Sequence, residues 1–203
     1  MALHLHFGKA EFARRQKSVR AALAKLGLDG LLIFKQESMY WLTGYDTSGY
    51  VMFQALYFGQ DGRTALLTRS PDVRQAEVTS TIQDVRMWVD RQGAEPGKDV
   101  RAMLADYGCR GKRIGVEYHA YGLTGQRAKM VDAALEGFCR VEDGSDIVRL
   151  IRMVKSPAEL AYVRRAGKLA DAALELGNRM TVPGADVGRI YGEVNTLIMA
   201  GGG

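Results

Sequence analysis

The 203-residue sequence predicts an α/β fold in which helices cover a mixed sheet of five or six strands. Three observations lead to this prediction. Residues 11–26 have helical periodicity and precede a short apolar run at residues 31–34, which is typical of a buried strand. Two further apolar runs flank an Asp-Gly turn. Beyond that turn, strand-like and helix-like segments alternate up to about residue 145, as they do in α/β layer domains.

The first helix is predicted from its apolar stripe and from its end. Phe12, Val19 and Leu23 lie on one face at helical spacing, and basic residues occupy the opposite face. Gly27 follows and is expected to end the helix, since glycine readily adopts the left-handed conformation of a helix C-terminus.

Residues 51–58 and 64–68 are predicted to form a β-hairpin. The residues between them include Asp61 and Gly62, which tolerate the positive φ angles of a tight turn. The two strands are therefore expected to be antiparallel neighbours. The remaining segments are predicted as helices at 38–42, 71–79, 99–107 and 124–135, and as strands at 85–89, 113–117 and 138–141.

The character of the sequence changes after residue 145. A short helical stripe at 147–154 precedes a helix start signal in which Ser156 and Glu159 can form a capping box. Helical patterns then continue to residue 200, and their apolar stripes have no following strand to cover them. We expect these stripes to pack against a continuation of the chain rather than against the first domain or a second chain. The sequence thus predicts two domains, 1–145 and 146–203.

Composition narrows the class of protein. A hydrophobic fraction of 47% with 25% charged residues is typical of a globular protein, and no apolar run approaches the roughly 20 residues of a membrane-spanning helix. The first residues lack the basic leader of a secretory signal. Two cysteines fit a reducing compartment, so we expect a cytoplasmic protein. The net charge of +5 is explained by the solvated face of the first helix, and we expect no nucleic-acid partner.

Candidate catalytic groups are scarce. No G-x-S-x-G elbow surrounds a serine, and the three histidines, His4, His6 and His119, lack partners at the spacing of a catalytic triad or a zinc site. The basic glycine turn at 108–112 lacks the phosphate-loop pattern. We therefore predict no catalytic residue and no metal ligand within this chain.

The segment 39–50 is the best candidate for a functional loop. It places aromatic residues, glycines and hydroxyls between two predicted strands, and loops at strand ends of an α/β sheet are where ligands usually bind. Trp41 is expected to pack inward. Tyr45, Asp46 and Tyr50 are the residues predicted to face a ligand.

Three motifs resemble one known family. Residues 40–45 (YWLTGY) are similar to the N-Y-x-(T/S)-G-(F/Y) stretch of creatinase/prolidase/aminopeptidase P amino-terminal domains. Residues 113–117 (RIGVE) resemble a strand of the same domains, and residues 149–160 (RLIRMVKSPAEL) resemble the junction that opens the catalytic domain. Order and spacing match over nearly the whole chain.

The resemblance implies a ribonuclease-H-like amino-terminal domain followed by the start of a pita-bread catalytic domain. It implies a hydrolase of C–N bonds that is inactive as this fragment and uses two divalent metals (manganese, cobalt or zinc), with all ligands outside these residues. It also implies a homodimer or larger assembly in which the loop containing Tyr45, Asp46 and Tyr50 helps to control access of a peptide or small amide substrate.

Several functions stay open within this resemblance. Xaa-Pro peptidases and prolidases are the first expectation. The run 41–46 (WLTGYD) followed by Gln54 is also similar to ectoine hydrolase-like members, whereas the absence of an arginine near residues 50–52 argues against creatine as the substrate. The further alternative is a binding module that keeps the fold without the metal ligands.

Overall fold

The computed structural model describes residues 3–203 and divides into two compact units, residues up to 153 and residues 154–203. The first unit contains six strands: β1 Gly30–Ile33, β2 Ala55–Gly59, β3 Thr64–Arg69, β4 Asp84–Trp88, β5 Arg113–Val116 and β6 Arg140–Asp143. Its helices are α1 Lys9–Leu26, α2 Gln36–Thr43, α3 Ser70–Thr79, α4 Pro96–Asp106, α5 Gly125–Leu135 and α6 Ser145–Met153. The second unit contains α7 Pro157–Met180 and α8 Val187–Ala200. The functional domain boundary at 145/146 stays a prediction.

The six strands form one mixed sheet in the order β4-β3-β2-β1-β5-β6. The pairs β1–β2 and β2–β3 are antiparallel, while β3–β4, β1–β5 and β5–β6 are parallel. The α/β fold class is confirmed, and the β2–β3 hairpin closes at the predicted turn, where Gly62 has a φ of 91°.

Side chains alternate between two hydrophobic cores, one on each face of the sheet. Leu32 and Tyr57 point to the core that α4 and α5 cover, with Met103 and Val131 among its members. Leu31, Ile33, Leu56 and Phe58 point to the opposite core, which α1, α2 and α6 cover. Period-two alternation along the strands therefore buries both faces of the central sheet.

The connections after β1 and β5 leave the sheet on opposite faces. β1 continues into α2, whose Met39 and Trp41 belong to one core, whereas β5 continues into α5, whose Val131 belongs to the other. Because β1 and β5 are parallel neighbours, their carboxyl ends lie side by side and open a crevice between the two departing chains. Such switch points are where open α/β sheets bind ligands.

Two predicted strand starts are wrong. β2 begins at Ala55 rather than at residue 51, because the N–H of Met52 donates to the carbonyl oxygen of Gly49 at 2.9 Å and turns the chain. β6 begins at Arg140, so Cys139 lies before the strand. There the N–H of Phe138 still donates to Leu135 at 3.0 Å, which extends the end of α5 into the expected strand.

The second unit begins with the capping box that the sequence predicts. The Ser156 Oγ accepts from the Glu159 N–H at 3.2 Å, and the Glu159 Oε2 accepts from the Ser156 N–H at 2.7 Å. The helices α7 and α8 pack against each other, yet several apolar side chains on them are largely exposed, including Leu174, Val187 and Tyr191.

Loss of this cap is expected to weaken the start of α7. Ser156→Ala removes the oxygen that accepts from Glu159 and should lower the free energy of unfolding by about 1 kcal/mol. Asp171→Ala, at an exposed position inside α7, is the matched control and should not destabilise, because alanine favours helix interiors. Thermal unfolding followed by circular dichroism compares the two variants, and equal stability of both would refute the capping role.

Candidate functional site

A groove of about 250 Å³ lies at the crevice beyond the carboxyl end of β1. Its walls come from the start of α2, from the loop before β2 and from the loop after β5. We call it the tyrosine groove, and it is lined by Lys35, Gln36, Glu37, Thr47, Tyr50 and Tyr121. These residues lie far apart in the sequence and meet because β1 and β5 are parallel neighbours.

The buried carboxylate of Glu117 links the chain that follows β5 to the chain that follows β1 at this crevice. It follows β5 directly, and its Oε1 accepts from the Ser38 Oγ at 2.6 Å while its Oε2 accepts from the Lys35 N–H at 3.0 Å. Burial raises the pKa of this carboxyl to about 7, although the hydrogen bonds from Ser38 and Lys35 oppose the rise. Glu117 therefore fixes the first turn of α2, which forms one wall of the groove.

The loop between α2 and β2 is held by a buried amide. The Gln54 Oε1 accepts from the Tyr45 hydroxyl at 2.5 Å and from the Thr68 Oγ1 at 2.9 Å, and its Nε2 donates to the Gly49 carbonyl oxygen at 2.9 Å. Burial is the main cause that raises the pKa of Tyr45 to about 12, so the phenol stays protonated and can donate.

A second buried contact fixes the same loop to α3. The Thr47 Oγ1 donates to the Asp72 Oδ1 at 2.6 Å, and Asp72 also forms a salt bridge with Arg69 at 3.0 Å. Gly49 packs so closely here that an added Cβ would lie 2.6 Å from the Asp72 Oδ1. The backbone of the loop is thus positioned by side chains from β3 and α3.

The loops that follow α2 and β5 are in direct backbone contact. A Cβ at Gly122 would clash with the carbonyl oxygen of Met52 and would lie 3.3 Å from that of Tyr50. Next to this contact the rings of Tyr50 and Tyr121 meet edge to face, with centroids 6.0 Å apart. The two tyrosines form the aromatic side of the groove.

The structure separates the three predicted ligand-facing residues. Tyr45 has no exposed surface and lies in a core, so its side chain faces inward like that of Trp41. Asp46 is exposed but does not line the groove, and its N–H donates to the Thr79 Oγ1 at 3.0 Å. Tyr50 is half-exposed and lines the groove.

Sequence reasoning missed the four groove residues that lie outside segment 39–50, and within that segment it did not single out Thr47. Each of the four follows a strand whose carboxyl end opens the crevice: β1 precedes Lys35, Gln36 and Glu37, and β5 precedes Tyr121. That signal was present, but it becomes useful only when the two strands are known to be parallel neighbours.

The residues described here do not fit a two-metal centre. Within residues 3–203, no group of three or more histidine, cysteine, aspartate or glutamate side chains is arranged to hold a metal ion. His6 instead shares a hydrogen bond with the Tyr40 hydroxyl at 2.8 Å.

No helix in this part of the chain has the length and hydrophobicity needed to cross a membrane.

The model of the creatinase/prolidase N-terminal domain family matches residues 15–154. The chain belongs to this family. The match includes all of the sheet and the tyrosine groove. The family resemblance predicted from the three motifs is thereby confirmed.

Two relatives of this creatinase/prolidase-family chain are described as hydrolases. It is 28% identical over 187 residues to an uncharacterised hydrolase/peptidase of Sinorhizobium fredii. The aligned region covers 89% of this chain and 47% of that protein. It is 26% identical over 197 residues to the ectoine hydrolase of Halomonas elongata. That aligned region covers 94% of this chain and 49% of the relative. The chain spans about half the length of the curated relatives it matches.

A solved structure shares the fold. The prolidase of Thermococcus sibiricus superposes with a TM-score of 0.73 at 17% identity, covering 94% of this chain and 50% of the prolidase. This family member therefore shares its fold with about half of that prolidase.

Proposed function

We propose that this chain is the amino-terminal part of a metal-dependent hydrolase of C–N bonds that acts on Xaa-Pro peptides. The family match over residues 15–154 supports this proposal. Residues 146–203 would begin the pita-bread catalytic domain, and two divalent ions, manganese, cobalt or zinc, would be bound by residues of that domain outside this chain. Such ions supply an activated hydroxide and polarise a carbonyl group.

The part played by this chain is substrate access. In the proposed homodimer or larger assembly, the loop that carries Asp46 and Tyr50 would border the active site of a neighbouring subunit and limit the size of the substrate. Two observations support this role. The side chain of Tyr50 is half-exposed. Its loop is held in place by hydrogen bonds to the buried side chains of Gln54 and Asp72. Buried Tyr45 would act only through its hydrogen bond to Gln54.

Two alternatives to this function remain. The similarity to the Halomonas elongata ectoine hydrolase favours an ectoine hydrolase-like or other creatinase-related amidohydrolase. A non-catalytic binding module of the same fold is the second alternative, in which the complete protein would keep the fold without the metal ligands. The two free cysteines fit a cytoplasmic location for each of these functions.

Substrate hydrolysis tests the proposal. Protein from the complete reading frame that encodes this chain should cleave alanyl-proline in the presence of Mn²⁺, Co²⁺ or Zn²⁺ and should lose this activity with a chelator. Cleavage of ectoine but not of alanyl-proline would support the first alternative. Cleavage of neither substrate, with any of the three metals, would refute the enzyme and leave the binding module.

A further inference from the structure

The tyrosine groove presents two opposite charges on one short stretch of chain. Lys35 and Glu37 both line it, the first half-buried and the second exposed. Neither side chain forms a salt bridge with another group of residues 3–203. The groove therefore offers one cation and one anion to a ligand at the same time.

The aromatic wall adds a third kind of contact. Tyr50 and Tyr121 meet edge to face and leave substantial ring surface exposed. Aromatic faces attract ammonium groups and also pack against apolar rings. A ligand between the charged pair and the tyrosines would thus find matching groups for a carboxylate, an ammonium and a small apolar body.

The walls of the groove are fixed before any ligand arrives. Glu117 holds the backbone of Lys35, and Asp72 holds the side chain of Thr47. The contact between Gly122 and Met52 keeps the two tyrosine-bearing loops together. A groove with fixed walls loses less entropy on binding than a mobile one.

The size of the groove limits the ligand. Its volume of about 250 Å³ lies below the roughly 300–1,000 Å³ of sites for drug-sized molecules. A free amino acid or a dipeptide is of suitable size, whereas a long peptide would extend beyond the groove.

We propose that the tyrosine groove binds a small zwitterion, namely a dipeptide or free amino acid. The ligand carboxylate pairs with the Lys35 Nζ, its ammonium pairs with the Glu37 carboxylate, and its apolar part packs on Tyr50 and Tyr121. The choice of a proline-containing dipeptide rests on the proposed function. Binding itself needs no catalysis and no metal.

Three matched ligands test the two charge contacts on the unaltered 203-residue chain. Alanyl-proline has both charges, N-acetyl-alanyl-proline lacks the ammonium, and alanyl-prolinamide lacks the carboxylate. In titrations followed by ¹H–¹⁵N NMR, alanyl-proline should shift the amide signals of residues 35–37, 47–50 and 121–122. Each blocked ligand should bind about tenfold more weakly, as expected for loss of one charge-assisted contact.

Substitutions of Lys35 and Glu37 test which protein side chain contacts each charge of the ligand. Lys35→Met keeps the backbone N–H that Glu117 accepts from and should abolish the preference for a free carboxylate. Glu37→Gln should abolish the preference for a free ammonium. Lys25→Met, at an exposed position of α1 outside the groove, is the control and should bind like the unaltered chain.

Three results would overturn the proposal: no shift with alanyl-proline, shifts confined to other residues, or equal binding of the three ligands. These results do not depend on the proposed hydrolase. An active enzyme whose amino-terminal chain binds no zwitterion refutes only the groove, whereas selective binding without hydrolysis in the complete protein refutes only the enzyme.

Discussion

Raising the pH from about 4.5 to about 7 is expected to lower the free energy of unfolding through one buried carboxyl, that of Glu117. Its pKa in the folded protein is raised from 4.5 to about 7, mainly by burial. The folded state thus holds this proton more tightly than the unfolded state. The resulting stabilisation is complete below pH 4.5 and is lost as the pH rises through about 7. The loss is on the order of 3 kcal/mol, from 1.36 kcal/mol for each pKa unit.

Glu117→Gln isolates this contribution. The variant keeps an oxygen that accepts from Ser38 or Lys35 but carries no charge at any pH. Urea unfolding at about pH 5 and about pH 8 should show that the unaltered protein loses stability relative to the variant by on the order of 3 kcal/mol.

The control for this experiment is Glu142→Gln. Arg113 lowers the pKa of the exposed Glu142 carboxyl through its hydrogen bonds, so the stabilisation from that pair is lost only at acidic pH. The stability difference between this variant and the unaltered protein should therefore stay constant from about pH 5 to about pH 8. A constant difference for Glu117→Gln as well would show that the buried carboxyl does not titrate in this range.

Gln54→Leu is expected to have an effect of similar size by a different mechanism. It removes the acceptor of the Tyr45 and Thr68 hydroxyls and the donor to the Gly49 carbonyl, all of which are buried or nearly so. The hydroxyls lie 3.3 Å apart and can partly satisfy each other. The expected loss is about 2–4 kcal/mol, from about 1–3 kcal/mol for each buried group left without a partner.

A second set of variants separates loss of hydrogen bonds from loss of packing. Tyr45→Phe with Thr68→Val replaces both hydroxyls by apolar groups of similar shape. Added to Gln54→Leu, this pair should recover part of the lost stability, because two unsatisfied hydroxyls disappear. The loss of stability caused by Tyr45→Phe with Thr68→Val is also measured in the otherwise unaltered protein. If the same two substitutions lower the stability of Gln54→Leu by that full amount, the three side chains do not act as a unit.

Local signals in the sequence predicted the elements that depend on local chemistry. The capping box at Ser156 and the end of α1 at Gly27 need only neighbouring residues, and both form as expected. The β2–β3 hairpin also follows from its own turn. The type of a helix, strand or turn could thus be predicted wherever the residues that determine it lie within a few positions of each other in the sequence.

The groove could not be predicted in this way. Glu117 meets Ser38 across 79 residues of sequence, and Tyr45 is turned inward by Gln54 and Thr68 from two different segments. An aromatic residue in a polar segment has the same local signature whether it faces a ligand or a buried amide. The pairing of β1 with β5 decides which loops meet, and this pairing has no short-range signal.

We propose that the loop carrying Tyr50 controls substrate access in the complete protein. In protein from the complete reading frame, Tyr50→Ala should raise kcat/KM for alanyl-prolyl-alanine relative to that for alanyl-proline by about tenfold, because the smaller side chain no longer limits the length of the substrate. Val51→Ala, its exposed neighbour, should change this ratio by less than about twofold. Equal ratios in the unaltered protein and both variants would contradict the proposal.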